Sequence, residues 1–130
     1  MERIELKDLL GRTSAHVLAD VGHRLMTIEA MNRMQWPATR LAARLKKHHA
    51  EIPKLTLYRQ ALTQVSLMGV QVLAVAEASV QTASSLSQQF ELLTGDALIV
   101  AIMRQHGLTS LASEDSDFDR VAGIARYGPT

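Results

Sequence analysis

Apolar and polar positions change their period near residue 70. Before that point the spacing is helical. Thr13 or Ser14 can cap a helix that runs to about Met34, in which Leu18, Val21, Leu25 and Ile28 recur at intervals of three and four and predict one buried stripe. The preceding MERIELKDLLGRT mixes charge with Ile4, Leu6, Leu9 and Leu10 and reads as a short amphipathic helix or a ragged end. Trp36-Pro37 ends the long helix. Pro37 is expected to start another with Leu41 and Leu45 inward, and Pro53 suits the first position of a third. That third helix carries Leu55, Tyr58, Leu62 and Val65 to a stop at Gly69.

Beyond Gly69 the pattern shortens. VQVLAVA (70–76) is a valine-rich apolar run that predicts a buried strand, followed by a helix from about Ser79 to Phe90. Thr94 can cap the helix GDALIVAIMRQH, with Gly107 as its left-handed terminator. LTSLAS (108–113) and IARY (124–127) are further strand candidates around the loop EDSDFDRV. Strands separated by helices imply right-handed parallel crossovers, hence an α/β sheet flanked by helices on both faces. Ligands of such sheets bind at the carboxyl ends of the strands. The acids of 114–119 leave one such end, and Asp96 lies in a first helical turn, where the dipole favours a carboxylate. A plain solvated turn, with Asp115 or Ser116 as its cap, and a plain helix-start acid account for the same residues.

Length and composition narrow the class. With 130 residues the chain has room for one domain, spanning 1–130, with 47% hydrophobic and 21% charged residues as in ordinary globular proteins. The absence of cysteine excludes disulfides, thiolate zinc sites and a cysteine nucleophile, and fits a cytoplasmic protein. No apolar run is long enough to span a bilayer, and the charged opening is not a signal peptide. Net charge is +1, but its distribution is uneven: −1 over 1–23, +6 from Arg24 to Arg59, and −4 from Met68 to Thr130. A basic stretch can meet phosphate, and clustered carboxylates suit a hard cation; two solvated faces of opposite sign explain the same pattern.

Other candidate chemistry is weaker. His16, Asp20 and His23 fall at i, i+4 and i+7, yet Asp20 also stands four residues before Arg24 and can simply pair with it. His48-His49 reads as an exposed helix end and His106 as a partner of a helix C-terminus. Arg40, Arg44, Lys46 and Lys47 can line an RNA path, and Trp36 and Tyr58 can stack on bases or fill the core. Ser84 and Ser85 lack a histidine–carboxylate context, and Gly69, Gly95 and Gly107 form no phosphate-cradling pattern.

The run LLTGDALIVAIMRQHGLTSLASEDSDFDRVAGIARYGP resembles the C-terminal half of a PIN domain, in particular of the VapC-type toxins. The TGDALIVA helix start combined with ASEDSDFDRV carries the likeness. Upstream, TSAHVLADVGHRLMTIEA is similar to the family's second strand and acid-bearing helix, so the resemblance covers about residues 10–130. It implies a Mg²⁺- or Mn²⁺-dependent endoribonuclease, usually a homodimer, restrained by an antitoxin protein. By position, the family's acids fall at Asp20, Asp96, Asp115 and Asp117, with Asp119 outside the set and facing solvent. The implied fold is a PIN-like parallel sheet flanked by helices.

Two departures accompany the likeness. The family's first, central strand and its acid have no counterpart before Thr13, where Asp8 sits in a charged context. Three accounts are open: a protein whose true start lies upstream of Met1, a remnant whose gap another chain fills, or a poorly folding product. The first is the one expected. Secondly, the family's helix glutamate is Asp20 here. The shorter side chain withdraws its oxygens, and catalytic geometry loses about 10²-fold per misplacement of about 1 Å. The rival reading is therefore an inactive PIN-like remnant that only dimerises or binds an antitoxin.

Overall fold

The structure, a computed structural model, describes residues 12–128. In chain order its elements are β1 (Arg12–Ser14), α1 (Ala15–Met34), α2 (Leu41–Lys47), a 3-10 stretch (His49–Lys54), α3 (Leu57–Leu67), β2 (Gln71–Leu73), α4 (Glu77–Phe90), α5 (Thr94–Gln105), β3 (Ser110–Ala112), a second 3-10 stretch (Ser116–Arg120) and β4 (Ala125–Tyr127). The class is mixed α/β, mostly helical with short strands. β1 and β2 are neighbours in one two-stranded sheet and β3 and β4 in another. β3 and β4 run parallel, with Ser110 opposite Ala125, Leu111 opposite Arg126 and Ala112 opposite Tyr127. Among the described residues the expected sheet is thus two short ladders. Residues 1–11, which hold most of the amphipathic opening and the place of the family's first strand, lie outside the described residues. The chain divides into two compact units, His16–Gln71 and a second containing β1 and the residues from Val72 onward.

In the unit His16–Gln71, Ala30, Leu45 and Leu55 form the buried centre, with Met26, Trp36, Ile52 and Tyr58 packed against it. α1 ends where Trp36-Pro37 predicts. Gln35 takes a left-handed conformation (φ 56°), and the Trp36 N–H donates back to the Met31 carbonyl at 3.0 Å, closing the helix end. Trp36 and Tyr58 therefore serve the core, and the Trp36 ring meets His48 at 5.4 Å.

The expected stripe on α1 needs correction. Its buried residues are Gly22, Thr27 and Ala30, while Val21 and Ile28 are 41% and 39% exposed. Small side chains make this seam: a Cβ on Gly22 would stand 3.1 Å from Leu62 Cδ1, so the Leu62 side chain of α3 packs onto the bare backbone of α1 and would have to shift for any larger residue. A count of large apolar residues is blind to such a seam.

Two helix starts also move. α2 begins at Leu41 rather than Pro37, because Arg40 is left-handed (φ 55°) and cannot continue a right-handed helix. Pro53 falls inside the 3-10 stretch, and α3 begins at Leu57. The backbone N–H groups of Thr56 and Tyr58 donate to the two carboxylate oxygens of Glu29 at 2.8 and 2.9 Å. A side chain from α1 thus serves as the N-cap that Thr56 does not provide. These backbone bonds, with help from Arg33, outweigh the opposing effect of burial and hold Glu29 below the usual glutamate range.

The second unit is built on α5. Ala97, Leu98, Val100, Ala101, Ile102 and Met103 are all buried, so the helix is apolar around most of its circumference and sits at the centre rather than on the surface. α4 packs on it through Ala83 and Leu86, and Phe118 and Val121 close the cluster from the far end of the chain. Residues 70–76 yield a strand only over Gln71–Leu73, with Leu73 buried and Val72 exposed, and α4 starts at Glu77 rather than Ser79. Leu93, not Thr94, occupies the N-cap position of α5. Gly107 does end it: at φ 67° its N–H bonds the Arg104 carbonyl (3.2 Å), and the Leu108 N–H bonds the Met103 carbonyl (2.8 Å).

Candidate metal centre

Asp96 is the third residue of α5, fixed by the buried Ala97 and Leu98 that follow it. Asp115 and Asp117 sit on the loop after β3, and local bonds set its path. The Asp115 N–H donates to Ser113 Oγ at 3.1 Å, and Asp115 Oδ1 accepts from the Asp117 N–H at 2.9 Å, so Asp115 caps the 3-10 stretch that carries Asp117. Phe118, 2% exposed, drives that stretch into the core one residue later. The parallel pairing of β3 with β4 holds the loop's other end.

These constraints bring three carboxylates together. Asp96, Asp115 and Asp117 each offer an oxygen, and these oxygens lie within 4.8 Å of one another. Such crowding carries an electrostatic cost. Burial, then the charges of Asp115 and Asp117 and a carboxyl–carboxyl hydrogen bond with Asp115, push Asp96 above the usual aspartate range. These effects win over the helix dipole, which acts in the opposite direction. All three side chains are partly buried, close enough to solvent for an ion to reach.

The donor set fits a hard divalent cation. It offers carboxylate oxygens alone, without the imidazole or thiolate that zinc or copper would select. Asp115 Oδ1 serves its turn, and its carboxyl group also bonds that of Asp96. Asp117 Oδ1 accepts from Arg120 Nη1 at 3.1 Å. Asp119 lies outside this group, 57% exposed, and the hydrogen bonds of Arg126 at 2.8 and 3.0 Å hold it below the usual aspartate range.

The other expected site residues belong to the unit His16–Gln71. Asp20 is exposed on α1. No ion pair joins Asp20 to Arg24 among the described residues. Arg40 precedes α2, which carries Arg44, Lys46 and Lys47; Arg40, Lys46 and Lys47 are exposed, and Arg44 Nε donates to the Thr39 carbonyl at 3.0 Å. The sequence reading missed Ser113 and Arg120, which shape the acidic loop. Arg120 had a legible signal, its i+3 spacing from Asp117; Ser113 had none beyond its place two residues before an aspartate.

The model of the PIN domain family matches residues 3–124. Neither a curated protein nor a solved structure matches the chain. A family match over nearly the whole chain, with an acidic group assembled from a helix start and a post-strand loop, means that this chain belongs to the PIN domain family, a nuclease fold.

Proposed function

We propose that the chain is a single PIN-like domain over residues 1–130 and a divalent-metal-dependent endoribonuclease of the VapC toxin type. The convergence of Asp96, Asp115 and Asp117 carries this reading. Three carboxylates whose oxygens are held within 4.8 Å of one another repel, and a bound cation removes that cost. Asp96 and Asp115 would hold Mg²⁺ or Mn²⁺, with Asp117 as a third ligand or as the base that orients water, and Asp20 as a weaker outer ligand. When bound, the ion lowers the pKa of a coordinated water and stabilises charge on the phosphodiester. In the role of base, Asp117 would take the proton of the attacking water, while Asp115, fixed by its own turn, would keep its carboxylate in place as a ligand. Arg40, Arg44, Lys46 and Lys47 would contact RNA phosphates. An antitoxin protein and a second copy of the chain are the protein partners this reading calls for, in the cytoplasm. No helix among the described residues is long and apolar enough to cross a membrane.

Cleavage of a structured RNA by the purified chain in Mn²⁺, followed by gel electrophoresis, tests the proposal. The Asp96→Asn variant is expected to lose cleavage by at least about 10²-fold while its circular dichroism spectrum stays unchanged. Wild-type rates from Asp96→Asn would overturn the metal assignment.

A further inference from the structure

Arg120 makes more bonds than an ordinary surface arginine. Its Nε donates to the Phe90 carbonyl at 3.0 Å, its Nη2 to the Glu91 carbonyl at 2.6 Å, and its Nη1 to Asp117 Oδ1 at 3.1 Å. The two carbonyls close the C-terminus of α4, where Glu91 is left-handed (φ 57°) and the helix presents the negative end of its dipole. The side chains of Arg120 and Asp117 are 42% and 47% exposed, and an isolated pair of that kind would hold neither partner still. Here the guanidinium is already fixed by two backbone acceptors in its planar fork, and the third bond passes that fixity to the carboxylate.

We infer that Arg120 is a positioning residue: it locks Asp117 by one oxygen against the end of α4 and leaves the other oxygen for the cation. This rests on the metal-site reading above. Among the three acids, Asp96 is held by a helix and Asp115 by its own turn, whereas no other bond fixes the Asp117 carboxylate among the described residues. Arg120 supplies the missing constraint, as hydrogen-bonding partners of metal ligands do elsewhere. Lysine cannot replace it, because one ammonium cannot span two carbonyls and a carboxylate in one plane.

Calorimetric titration of the full chain with Mn²⁺, paired with thermal melting, tests this. Arg120→Ala is expected to weaken Mn²⁺ binding about tenfold or more, and Arg120→Lys to recover only part of the loss. In an Asp117→Asn background, Arg120→Ala is expected to add no further loss. A purely structural arginine would lower the melting temperature and leave Mn²⁺ affinity alone. An arginine that merely competes with the ion would give tighter binding on removal. Either result overturns the inference. If Arg120→Ala does not fold, Arg120→Lys decides, since full wild-type affinity in that variant contradicts a planar clamp. Wild-type chain that binds no Mn²⁺, or Asp96→Asn that binds it normally, removes the metal site itself. Binding lost in Asp96→Asn but intact in folded Arg120→Ala removes only the role of Arg120.

Discussion

Individual carboxylates in this protein have opposite environments, and their titration separates them. Glu29 accepts backbone hydrogen bonds at the start of α3, and its pKa is lowered. Its contribution to stability is therefore complete above the ordinary value of 4.5 and disappears as pH falls through the lower folded value. Glu29→Ala is expected to cost about 0.5–2 kcal/mol at neutral pH, the range of a lost N-cap, and to flatten the acid limb of a stability–pH curve measured by urea unfolding. Asp96 behaves in reverse. Its raised pKa means that the folded state binds its proton more tightly than the unfolded chain, so stability is highest below 3.8 and falls as pH rises through the folded value. In chelator at pH 7, Asp96→Asn is expected to melt at a higher temperature than wild type. A lower melting temperature would mean that Asp96 is stabilised by something other than a cation.

The helices and loops show how little sequence is needed to place an acid once the core is set. Phe118 lies one residue from Asp117 and is 2% exposed, so a buried ring anchors the acidic loop. Phe118→Ala is expected to cost about 3–5 kcal/mol and to weaken Mn²⁺ binding even where the protein stays folded, because the 3-10 stretch loses its anchor. Chemical denaturation and calorimetry on one preparation would measure both effects. At the other end of α5, Gly107 at φ 67° permits the turn that delivers Leu108 and then β3. An alanine there finds open space but meets backbone strain of about 1–2 kcal/mol.

For the molecule as a whole, ligand binding and stability are linked. An ion that binds only the folded chain stabilises it by about 2.7 kcal/mol at a hundred times its dissociation constant. Mn²⁺ is expected to raise the melting temperature of wild type by several degrees and chelator to reverse it, while Asp96→Asn stays unresponsive. A flat response in wild type would favour a chain that acts only by binding partners.

The linear order of residues was enough to give the class, the position of α5 and the candidate acids. TGDALIVAIM announces a helix with an acid in its first turn, and Gly107 announces its end, because propensity and left-handed termination are local. The acids of 114–119 were equally visible, since charge in a loop needs no partner to be read. Contacts across the chain were not visible. The small-residue seam at Gly22, the cap that Glu29 lends to α3, and the hold of Arg120 on the end of α4 each join residues about 27 to 40 positions apart. Such contacts exist only after packing has brought distant segments within bonding distance. The same packing selects Asp96, Asp115 and Asp117 as one group and pairs Asp119 with Arg126.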